Sequence, residues 1–91
     1  MFEADRDAII ADLRAGRRVP ARNKMNDLLT KAQAAALLAV GPDRDRWDAA
    51  VAVLQHQLDA HVPAMLADVN GDAILQARVI EESLLLNMDI I

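Results

Sequence analysis

The sequence predicts an all-α fold, a compact bundle of about four helices, and three observations carry that reading. Apolar residues recur at spacings of three and four along most of the chain, which is the helical period. No stretch alternates apolar and polar residues for long enough to argue a strand. The apolar content, 54% of 91 residues, is mostly Ala and Leu, with one Trp, one Phe and no Tyr, a helix-forming composition.

Three sets of punctuation divide the chain. The first helix is predicted over about 3–14, with Glu3, Asp5 and Asp7 in its first turns and Arg14 at its end, both placements suiting the macrodipole. Phe2, Ile9, Ile10 and Leu13 supply its apolar stripe. Gly16 is a natural residue to follow it, since glycine takes the left-handed conformation at little cost. Pro20 disfavours helical backbone at Val19, so the second helix is predicted over about 22–40, with Met25, Leu28, Leu29, Ala32, Ala36 and Val40 on one face. Its last turns, Ala34 to Val40, are apolar all round, and Gly41-Pro42 stops it.

The third helix is predicted over about 44–61, capped by Asp43. Its stripe runs through Trp47, Ala50, Val51, Leu54, Leu58, His61 and Val62, and we expect Trp47, Leu54 and Leu58 to be buried. Pro63 ends or kinks it near His61, with a short helical turn near 64–68. Asn70-Gly71 favours positive φ, and Asp72 is placed to cap a fourth helix over about 73–89.

Those last nineteen residues are too apolar for a helix with one buried face. Ala73, Ala77, Ile80, Leu84, Met88 and Ile91 make one stripe, while Leu75, Val79, Leu86 and Ile90 lie well off it. An ordinary surface helix buries one stripe of roughly 100°. This one asks for cover on two sides, from the second helix or from a second copy of the chain. Leu37, Leu38, Leu75, Val79, Leu86 and Ile90 are therefore the candidate self-association residues.

The length fits a single helical domain, 1–91, which is small enough to be marginal as a monomer. There is no cysteine, so neither a disulfide nor a thiolate zinc site can reinforce it. The N-terminus lacks a basic region followed by an apolar core, and the longest apolar run, Ala34 to Val40, is far short of the roughly 20 residues that cross a bilayer. We expect a cytoplasmic protein with no membrane partner.

No motif carries catalysis, a cofactor or a metal. Asp68 to Asp72 begins like a calcium loop, but Ala73 and Val79 stand where that loop needs its glycine and its bidentate glutamate. His56 and His61 lie about 140° apart on a helix and do not converge with Asp59, and His61 reads as a hydrogen-bonded structural histidine. Glu81 and Glu82 point about 100° apart and do not share a proton, and Arg78, one turn before Glu82, offers it an ordinary intrahelical ion pair. There is no phosphate loop, no dinucleotide fingerprint and no nucleophile–base set. We expect no enzyme, no cofactor and no metal.

Net charge is −4, yet Leu13 to Asn26 holds Arg14, Arg17, Arg18, Arg22 and Lys24 and no acid. This segment is the candidate partner-binding site, for an acidic protein surface or, as the alternative, for nucleic acid. An acidic chain repels phosphate at long range, and the interruption from Ala15 to Val19 or beyond is longer than a helix-turn-helix needs. The expected function is binding of another protein, as assembly subunit, adaptor or stoichiometric inhibitor, with self-association. The alternative is a nucleic-acid-associated regulator using the basic segment.

Overall fold

The computed structural model describes residues 2–87. Ile90, Met88 and Ile91, and the predicted continuation of the last helix to 89, lie outside the described residues. Among the described residues five α-helices follow one another, α1 Glu3–Arg14, α2 Arg18–Leu38, α3 Pro42–Asp59, α4 His61–Ala67 and α5 Ala73–Asn87, with a 3₁₀ turn, Val69–Gly71, before the last. The all-α bundle holds, with the predicted turn near 64–68 appearing as α4 and the predicted fourth helix as α5.

Each of the three prolines stands in the first turn of a helix, Pro20 and Pro63 third and Pro42 first. The first four amides of a helix have no partner within it, so a residue without N–H forfeits nothing there. This corrects two boundaries. Helix α2 starts at Arg18 and takes in Val19, because the steric pressure of Pro20 on its predecessor is outweighed by the turn that launches the helix. Helix α3 starts at Pro42 with Gly41 in the N-cap position, so Asp43 lies inside the helix and does not cap it.

The α1–α2 corner is only Ala15 to Arg17. Gly16 has φ +77°, its N–H donates to the Leu13 carbonyl, and the Arg17 N–H donates to the Asp12 carbonyl at 2.8 Å. Those two bonds are the Schellman pattern. They pass the chain directly from one helix to the next.

A second left-handed junction joins α4 to α5. Asp68 and Asn70 have φ of 49° and 57°, and Asp68 Oδ1 accepts from the Ala73 amide at 3.0 Å. Asp68, from five residues upstream, thus provides the side-chain cap expected of Asp72, whose own carbonyl accepts from Gln76. Asp68→Ala is expected to lose roughly 1–2 kcal/mol through the missing cap and the left-handed backbone, which Asn tolerates and Ala resists. Thermal melts should show Asp68→Asn retaining most of that stability, and equal melts for the two variants would contradict this role.

Packing follows chain order. Helix α2 lies along α3 and α1, and α5 lies on α4 with edges against α1 and α3, in a body of 43 × 22 × 19 Å. The expected pairing of the last helix with the second gives way to its pairing with α4, because the turn through Asn70-Gly71 folds α5 back on its immediate predecessor. Ile9, Met25, Leu28, Leu54, Val62, Met65, Ile80 and Leu84 are the large fully buried side chains among the described residues. Trp47 and Leu58 are only half-buried at the margin of this core. Trp47 stacks against Phe2, ring centroids 5.5 Å apart, so it seals the edge of the core and is not its centre.

Candidate interaction surfaces

The cations of the basic segment do not share one set of contacts. Asp12, buried on α1 with its side chain 4% exposed, takes Arg17 Nε on Oδ1 at 2.7 Å and Lys24 Nζ on Oδ2 at 2.6 Å. The two hydrogen-bonded cations hold its pKa below the ordinary value of 3.8, outweighing the burial that opposes the charged form. Arg17 and Lys24 stay about half exposed, but their charged ends are committed to Asp12, fastening the start of α2 to α1. Arg14 reaches across to α5 and pairs with Glu81. Arg22 donates to Asn23 beside it.

Arg18 and Arg78 have no carboxylate partner among the described residues. They meet, with Arg14, around a groove of about 510 Å³ between the α1–α2 corner and α5. Leu13, Gly16, Ala73, Ile74 and Ala77 line it, with Glu81 beside Arg14. Ile74 is two-thirds exposed, and Val19, next to Arg18, is half exposed. The groove thus combines apolar lining with three guanidinium groups and one acid. Sequence reasoning found Arg14 and Arg18 but missed Arg78, Ile74 and Ala77. The signal was present on α5, where Ile74, Ala77, Arg78 and Glu81 recur at the spacing of one helical face.

The self-association candidates fall into two places. Leu37 and Leu38 end α2 and, with Val40, are exposed at the end of that helix remote from the groove. Leu75 and Leu86 are exposed on α5, and Val79 between them is half-buried. No element brings the two groups together. Leu85, also partly exposed on α5, is a further apolar residue of this surface.

His61 Nδ1–H donates to Gln76 Oε1 at 2.8 Å, tying α4 to α5, as a structural histidine would. His56 meets its ring edge-on. Among the described residues no group of three His, Cys, Asp or Glu is placed to hold a metal ion, and no helix is long and apolar enough to cross a membrane. No known protein family, curated protein or solved structure matches the chain.

Proposed function

We propose that this protein acts without turnover, by binding, and that its groove takes an acidic, amphipathic segment of a protein partner. The observation that carries the reading is the meeting of Arg14, Arg18 and Arg78 around an apolar groove. Apolar lining with charge at its edge is how a groove receives one face of a helix or strand. Two of the three guanidinium groups lack an acid of their own, and guanidinium pairs with carboxylate in a bidentate fork that a lysine does not offer. An assembly subunit, an adaptor or an inhibitor would each use such a surface.

One observation favours the nucleic-acid alternative. The α1–α2 corner is three residues long, within the range of a helix-turn-helix connection, so the objection from its length falls. The charges argue the other way. Arg17 and Lys24 are committed to Asp12 and Arg14 to Glu81, so few cations remain to neutralise phosphates, and a chain of net charge −4 gives no long-range attraction.

The test replaces Arg18→Glu and Ile74→Glu together, since both side chains border the groove without supporting the core. A labelled peptide of alternating Leu and Glu turns is expected to bind the wild type and to weaken by roughly tenfold or more against the variant, because like charges then face each other across the contact. A Leu/Lys peptide of the same length is expected not to bind. If the wild type ignores the acidic peptide but binds duplex nucleic acid at physiological salt, and the variant does not, the alternative replaces this reading.

A further inference from the structure

Helix α5 has a second exposed face, which shares only Arg78 with the border of the groove. Ala73, Ala77, Ile80 and Leu84 face the core. Leu75, Val79, Glu82 and Leu86 follow one another at spacings of four, three and four, the rhythm of a coiled-coil seam, on nearly the opposite side of the helix. Gln76 on one flank is bonded to His61 of α4 and Glu81 on the other to Arg14 of α1. The seam therefore points outward between those two attachments. Leu75 and Leu86 are 56% and 78% exposed, although a leucine at such a position normally has a partner helix.

We infer that this seam is covered by a second copy of the chain, with the two α5 helices antiparallel about a two-fold axis between Ile80 and Glu81. The sequence of the seam reads correctly in both directions for that arrangement, because Leu75 meets Leu86 of the second copy and Leu86 meets its Leu75. Val79 and Glu82 then face one another across the middle.

Charge selects the orientation. Neither Arg78 nor Glu82 has an ion-pair partner among the described residues. In the antiparallel pair, Arg78 of each copy lies beside Glu82 of the other, twice over by symmetry. A parallel pair would set Glu82 against Glu82 in the centre of the seam, where like charges are costly. One polar residue in an apolar seam fixing the alignment of helices is a known device of coiled coils. Arg78 also borders the groove, and a guanidinium with five donors can serve both contacts from different edges. The dimer leaves both grooves open and makes the protein bivalent, so a partner with two acidic segments gains affinity from the linkage alone.

The absence of cysteine makes disulfide trapping a clean test. Leu75→Cys and Leu86→Cys variants, oxidised singly and as a mixture, are expected to form the mixed 75–86 disulfide and little of either homodimer. Homodimeric disulfides from each variant alone, or no trapped species together with a monomeric mass at high concentration, would overturn the inference. Glu82→Arg is expected to weaken dimerisation by about tenfold or more, and adding Arg78→Glu should restore it to within a few-fold. Helical content measured alongside identifies any variant that fails to fold, and a folded double swap that stays as weak as Glu82→Arg rejects the charge pairing. Leu86→Asp should dissociate the dimer yet still bind the acidic peptide, so failure of the dimer and failure of the groove are told apart.

Discussion

Leu54→Ala is expected to unfold much of the population at ambient temperature. Leu54 has no exposed surface and sits on α3, which contacts both α2 and α5. Truncating a fully buried leucine removes its transfer free energy and leaves a cavity, together roughly 2–5 kcal/mol. A chain of this size has about 5 kcal/mol in all, so the loss is of the same order as the whole. Leu58→Ala, at the half-buried margin, should lose clearly less. Thermal melts followed by circular dichroism compare the two, and equal losses would mean that the core is not centred where the structure puts it.

The second large effect is expected at Asp12. Its folded pKa is depressed by Lys24 and Arg17, so the sign follows from linkage. The carboxylate contributes stability above its unfolded pKa, and that contribution disappears as the pH falls through the folded value. Asp12→Asn keeps the shape and removes the charge, leaving two cations facing a neutral amide. It should melt well below the wild type at neutral pH, with the gap closing on acidification below pH 4 or so. A gap that stays constant down to the lowest pH would show that packing, and not charge, explains Asp12. The same residue makes charge reversal at Arg17 costly, since Arg17→Glu would set a second carboxylate against a buried one.

Element type was legible in the sequence because the signals for it are local. Apolar spacing, Gly16, Gly41-Pro42 and Asn70-Gly71 each act within a turn or two, and the helices lie where those residues put them. The errors came where two local rules compete. Pro20 disfavours helix before itself but is harmless within a first turn, and only the Arg17 N–H reaching the Asp12 carbonyl decided between them. Asp68 capping from five residues away has no simple spacing signature.

The site was less legible, for a reason of dimension. That Leu75, Val79 and Leu86 lie off the buried stripe of their own helix was readable from the wheel, because a wheel records direction around one helix. The groove depends on Arg14 and Arg78 meeting across 64 positions of sequence, which no one-helix pattern records. Charge clustering along the chain grouped Arg17 and Lys24 with Arg18. In space Asp12 takes the first two and leaves the third for the groove.

The meeting of α1 and α5 has a kinetic consequence. Most helix contacts in this fold join neighbours in sequence, which form quickly because little chain must be ordered to close them. The α1–α5 contact is different. It closes nearly the whole chain into a ring, with Arg14 and Glu81 as its ionic latch, and closing a longer loop costs more entropy. This α1–α5 contact is accordingly expected to form late in folding, and the groove lies between its two lips. A partner of the proposed kind, seated there, would hold the first helix to the last, and by binding only the closed chain it would add to the stability of the whole fold.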